Sequence, residues 1–94
     1  MPDAALRQRL ADACQQVQIR EILTFLYRDH PQGSSFDELK EMLMLLDDVQ
    51  EDRLRELVTD RVLVFDGKRY KITAEARVIL DRDPVILMDE FLRE

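Results

Sequence analysis

The residues best able to do chemistry in this chain are charged ones. Lys68, Arg69 and Lys71 crowd one short stretch, and Arg77 and Arg82 follow it. Cations at that density can neutralise phosphates. On a hairpin they can equally form a solvated edge that resists strand-to-strand aggregation. Asp47, Asp48, Glu51 and Asp52 form an acidic cluster. Carboxylates are the oxygen ligands a hard cation needs, but this spacing matches no calcium-binding loop and the glycine such a loop requires is missing. The cluster reads as a solvated helix start, where acids favour the positive end of the helix dipole. His30 is the single histidine and stands before Pro31. At a helix end it helps satisfy the last carbonyls, whereas catalysis would require a nucleophile or carboxylate beside it in a pocket. Cys14 is the single cysteine, lies among apolar residues and reads as a small buried hydrophobe. Met42, Met44 and Met88 read as core filler. Two glycines in the chain are too few for a phosphate-cradling loop, and no nucleophile elbow or metal-ligand spacing occurs. Neither an enzyme nor a bound cofactor or metal is expected.

These side chains stand on a small frame. The sequence has 94 residues, 46% hydrophobic and 36% charged, with only two Gly and three Pro. That fits one domain, 1–94, with helices dominating and little loop. One cysteine excludes an intrachain disulfide and a cysteine-built zinc site. The start lacks a signal-peptide pattern, and no apolar run approaches the ~20 residues that span a membrane. A reducing cytoplasm is the expected setting. The net charge of −6 puts the chain at a disadvantage on nucleic acid.

Apolar periodicity divides the chain into five segments. Ala4 to Val17 carries Leu6, Leu10, Ala13, Cys14 and Val17 at helical spacing, with Asp3 as expected cap. Ile19 to Arg28 carries Ile19, Ile22, Leu23 and Leu26. At about 100° per residue the two stripes lie roughly 160–200° apart. Either one long helix carries apolar faces on opposite sides, or the chain breaks near Gln15 to Gln18. In both cases the first half is expected to pack away from the main core. The third segment opens at Ser35 with Glu38 three residues on, a capping box, and continues with Phe36, Leu39, Leu43 and Leu46. The fourth, about Asp48 to Arg61, turns Leu54, Leu57 and Val58 inward. Val62 to Phe65 is β-rich, Asp66-Gly67 marks a hairpin, and Lys68 to Ile72 returns with Tyr70 and Ile72 on one face. The fifth segment starts at the cap Thr73, with Ala74, Val78, Ile79 and Leu80 as its apolar side. Asp83 as cap and Pro84 at the first position open a last helix to about residue 93. Its apolar residues face nearly all round, so it must be buried in this domain or against a partner.

Three helices, a two-strand hairpin and a further helix, from about residue 18 to 82, resemble a winged helix-turn-helix domain. The stretch LRELVTDRVLVFDGKRYKIT, Leu54 to Thr73, is similar to the third helix, wing and following helix start of small prokaryotic repressors of the phenolic-acid-repressor and multiple-antibiotic-resistance-regulator types. The resemblance implies a mainly α fold with a small β-hairpin, extended by terminal helices at 4–17 and 84–93. It does not fix a role, because such domains read DNA, read RNA or dock proteins.

Two readings follow. In the resembling repressors the third helix enters the major groove and the wing touches backbone or minor groove, which makes Arg53, Arg55, Lys68, Arg69 and Lys71 the DNA-contact candidates. Against this, the outward side of the fourth segment carries Asp52, Glu56 and Thr59, flanked by Asp48 and Asp60. Such a face should repel phosphate. The preferred expectation is therefore a regulatory module in transcription or another DNA-associated process, acting mainly on proteins. Its interface candidates are Leu6, Leu10, Val17, Asp52, Glu56, Leu87, Phe91 and Leu92. The apolar members are expected to lie together, within one chain or across a homodimer.

Overall fold

The computed structural model describes residues 2–43 and 51–87. It is mainly helical with a small antiparallel hairpin, as expected. The elements are α1 (Pro2–Ala13), α2 (Val17–Arg28), α3 (Phe36–Leu43), α4 (Glu51–Thr59), β1 (Leu63–Phe65), β2 (Tyr70–Ile72), α5 (Ala74–Arg82) and a closing 3-10 turn (Pro84–Leu87). Met44, Leu46, Asp47, Asp48, Met88, Phe91 and Leu92 lie outside the described residues, as does the expected helix beyond Leu87.

The two out-of-phase stripes are reconciled by a break. After Ala13 the chain leaves the helix through tight turns, with Gln15 N–H donating to Asp12 O at 3.2 Å and Gln16 N–H to Ala13 O at 3.2 Å. The break changes the direction of α1, so its stripe and that of α2 converge on one core. This corrects the expectation that the first half packs elsewhere. Leu6, Leu10, Ala13 and Cys14 join Ile19, Ile22, Leu23 and Leu26 in a single buried cluster, and α1 packs on α5. Val17 opens α2 on the far side of the break and is 50% exposed. α1 also begins at Pro2, so Asp3 lies inside the first turn rather than capping it. Proline suits a first turn because its missing N–H would have no helical partner there.

Cys14 is buried, and loss of hydration pushes its thiol up to about 11 against the opposing pull of Arg20. At pH 8 that leaves roughly a hundredth of the thiolate an ordinary cysteine would have. Iodoacetamide should alkylate the folded chain at least ~50-fold more slowly than the denatured chain. Equal rates would mean that the α1–α2 corner opens freely.

Ser35 and Glu38 form the expected box. Glu38 N–H donates to Ser35 Oγ at 3.2 Å, and Ser35 N–H to Glu38 Oε1 at 2.9 Å. Those bonds hold the Glu38 carboxyl below its ordinary value. Leu39 is fully buried, whereas Met42 is 60% exposed and is not core filler. Leu43, four residues on from Leu39, takes the inward line and packs against the core, which leaves Met42 at the solvent edge of that face.

Before α3, Ser34 pairs with β2. Its N–H donates to Tyr70 O at 2.9 Å, and Tyr70 N–H to Ser34 O at 2.8 Å. The hairpin therefore has a third, one-residue member between α2 and α3. Across β1 and β2 the register is Leu63↔Ile72, Val64↔Lys71 and Phe65↔Tyr70.

In α5 the inward residues are Ala76, Ile79 and Leu80. Ala74 is exposed and Val78 is 47% exposed, which corrects the expected apolar side. The inward line is set by i, i+3 and i+4 from Ala76, and Val78 falls between its members. Thr73 caps α5, its hydroxyl accepting from Ala76 N–H at 3.1 Å. Asp83 does not cap with its side chain: its carboxylate pairs with the Arg7 guanidinium of α1.

Candidate functional site

Two surfaces carry the charged candidates: the outward side of α4 and the hairpin that follows. They are joined by how α4 ends. Arg61 N–H donates to Val58 O at 3.0 Å and Val62 N–H to Leu57 O at 2.9 Å, closing the helix through Arg61 at φ 67°. A left-handed residue just past the helix lets the chain reverse. The reversal sends Val62 and Leu63 straight into the core, both about 1% exposed or less.

At the hairpin tip, Asp66 Oδ1 accepts from the N–H of Lys68 at 2.9 Å and of Arg69 at 2.8 Å. These bonds, the one from Arg69 first, hold the Asp66 carboxyl below its ordinary value. Gly67 supplies the positive φ of 99° that the turn needs. Lys68, Arg69 and Lys71 are exposed and make no ion pair among the described residues.

The hairpin is held to α4 by a bond the sequence did not disclose. Tyr70 is fully buried and its hydroxyl donates to Glu51 Oε2 at 2.7 Å. By sequence Glu51 belongs to the acidic cluster that reads as a solvated helix start. The structure turns it instead onto the phenol, which a buried hydroxyl requires. Burial first, then this bond, push the Tyr70 phenol above its ordinary value. A raised phenol means the folded state keeps its proton longer. Its stabilisation is whole below a pH of about 10 and is lost as pH climbs through the raised value. Tyr70→Phe should therefore cost about 1–2 kcal/mol at pH 7, the scale of a hydrogen bond to a charged acceptor. The gap between variant and parent should narrow in chemical denaturation above a pH of about 10. A gap unchanged at alkaline pH would refute the pairing.

The outward side of α4 differs from the expected sheet of unopposed acids. Glu56 accepts from Arg53 Nη1 at 2.9 Å, and Asp52 lies 3.9 Å from Arg55 Nη1. Arg53 is also held by Gln16 Oε1 at 3.1 Å through its Nε. Asp60 lies 4.0 Å from Arg9 Nε of α1. The face is thus zwitterionic. Its two arginines, both DNA-contact candidates, are already engaged by the chain's own carboxylates.

Of the apolar interface candidates, Leu6 and Leu10 are buried in the chain's own core, Leu87 packs half-buried against the same core, and Val17 is half exposed; Phe91 and Leu92 lie outside the described residues. Asp52 and Glu56 are exposed, with side chains 80% and 65% accessible. The hairpin adds residues not singled out before: Val64 is 39% and Phe65 41% exposed. The alternation of β1 gives the signal for Val64, since Leu63 inward requires Val64 outward, whereas Phe65 lies on the Leu63 side and is uncovered at the strand end beside the turn.

His30 stands at the end of α2, where its N–H donates to Phe25 O at 3.0 Å. Its ring packs at 4.4 Å from that of Phe25, and Gln32 Nε2 lies 3.2 Å from its Nδ1. A shallow groove of about 410 Å³ is lined by Arg20, Glu21, Thr24, Phe25, Asp29, Leu43 and Leu87. It holds neither the cysteine nor the histidine. Among the described residues no group of three or more His, Cys, Asp or Glu is placed to hold a metal ion, and no helix is long and apolar enough to cross a membrane. The chain matches no family model, no curated protein and no solved structure.

Proposed function

We propose that this chain is a non-enzymatic regulatory module of the winged-helix kind, working in transcription or another DNA-associated process mainly through contacts with protein. The order of α2, the Ser34 bridge, α3, α4, hairpin and α5 supports the winged-helix reading. The observation that carries the choice of partner is the state of Arg53 and Arg55 on α4. Arg53 is bonded to Glu56 at 2.9 Å, and Arg55 lies 3.9 Å from Asp52, both carboxylates of the same helix. Docking α4 against phosphate would require breaking these pairs and leaving Asp52 and Glu56 facing a polyanion. A protein surface imposes no such cost and can extend the charge network.

The second reading is a dimeric DNA-binding regulator, and one observation favours it: Lys68, Arg69 and Lys71 are exposed on the hairpin with no ion pair among the described residues. Three cations give a weak and strongly salt-dependent hold on DNA. A gel-shift titration on random duplex DNA decides between the readings. The protein-contact reading expects no complex tighter than about 10 μM at physiological salt. A sub-micromolar complex that is lost in a Lys68→Ala/Arg69→Ala double variant would establish the DNA-binding reading instead.

A further inference from the structure

We propose that the exposed face and tip of the hairpin form a docking surface for an acidic segment of a partner protein that also carries apolar residues. This rests on the protein-contact reading above and adds where the contact is made and what chemistry it selects.

Charge and apolar exposure coincide here. Val64 and Lys71 sit opposite each other across β1 and β2, and both are exposed. Phe65 lies on the opposite side of β1 from Val64, stacked at 4.5 Å on the buried Tyr70 ring, and its 41% exposure comes at the tip, next to the turn. Lys68 and Arg69 close the tip. The surface is fixed in place, because Tyr70 is bound to Glu51 and to the Ser34 backbone, and Asp66 holds the turn. A rigid surface loses little entropy on binding. Protection against edge pairing would explain the cations, but it does not explain Val64 and Phe65. β1 itself carries no charge and no proline.

The chain is acidic overall, at −6, so three cations without ion-pair partners among the described residues form a local contrast that selects an acidic partner. A phosphate backbone satisfies the cations and leaves Val64 and Phe65 against polar groups. An acidic segment with apolar side chains satisfies both.

The test is selection from a short random-peptide library displayed on phage, followed by fluorescence anisotropy of the selected peptides on the full chain. Selected peptides should be rich in Asp and Glu with interspersed apolar residues. Lys68→Glu/Lys71→Glu and, separately, Phe65→Ser should each weaken them about tenfold or more. Val78→Ser, equally exposed on α5, should leave them unchanged. On the parent chain, rising salt should weaken binding, a readout that needs no variant to fold. Peptides without acidic enrichment, or binding indifferent to salt and to the hairpin variants, would overturn the hairpin proposal while leaving a protein-contact role elsewhere. Sub-micromolar binding of duplex DNA through the same lysines would overturn both.

Discussion

Replacing Leu10 with alanine is expected to destabilise the chain by about 3 kcal/mol, lowering the melting temperature by roughly 15 °C. Leu10 is fully buried, in one cluster with residues of α2, α4, the hairpin and α5. Truncation removes the transfer free energy of its methyl groups and leaves a cavity that a closely packed interior fills poorly. The magnitude carries a structural statement. If α1 were an appendage awaiting a partner, Leu10→Ala would act like a surface change, within about 0.5 kcal/mol. Val17→Ala supplies that comparison in the same protein, since Val17 is half exposed. A Leu10 variant as mild as the Val17 variant would detach α1 from the core and return its stripe to the list of interface candidates.

Gly33→Ala should cost about 2–3 kcal/mol, the sum of backbone strain and a backbone collision. Gly33 has φ +100°, and a Cβ there would meet Tyr70 O at 2.9 Å and Lys71 Cβ at 3.1 Å. The nearer obstacle is backbone, so no side chain can swing aside. Relief would require pulling Ser34 away from Tyr70 and loosening the hairpin from the α2–α3 connection. Gly67→Ala isolates the first contribution. It shares a φ of +99° but has nothing within 4 Å of the added atom, so about 1 kcal/mol is expected from conformation alone. Equal losses at the two glycines, by denaturant titration, would show that the Gly33–Tyr70 approach adds nothing.

Much of this fold is legible in the residues because its signals are local. The Ser35–Glu38 box, the Asp66-Gly67 turn and the Thr73 cap each depend on side chains within three positions, and each forms as expected. Periodicity also places Leu54, Leu57, Ile79 and Leu80 correctly. What escaped depends on long-range geometry. The opposed stripes of α1 and α2 establish that something must bend, but not that the bend brings both to one core. That is set by α5, more than fifty residues away in sequence. The Ser34–Tyr70 bridge is one residue long and has no alternation to announce it. Val78 misled because a short helix offers two plausible inward lines, and packing chooses between them.

The candidate site was half legible for the same reason. The charges on α4 can be read from spacing alone, and i, i+3 pairing of Arg53 with Glu56 and of Asp52 with Arg55 is a local event. Gln16 reaching Arg53, Arg9 beside Asp60 and Tyr70 holding Glu51 are tertiary. Together they change the meaning of the face. Among the described residues, an expected wall of negative charge becomes a mixed network in which Arg53 is bonded to Glu56 and Gln16 and Arg55 lies beside Asp52. The case against DNA on α4 consequently rests on engagement as well as on repulsion. The cations left for phosphate are then those of the hairpin, Lys68, Arg69 and Lys71, exposed where the sequence places them.

That claim has a direct test in the side-chain Nε–H resonances of Arg53 and Arg55 in a ¹H–¹⁵N spectrum recorded while random duplex DNA is added at physiological salt. With Arg53 Nε–H already donated to Gln16 and its guanidinium to Glu56, and with Asp52 3.9 Å from Arg55 to repel phosphate, the two signals should stay where they began. Saturable movement of both, at DNA concentrations in the low micromolar range, would mean that α4 surrenders its arginines to phosphate or base edges and that the chain is a DNA reader after all.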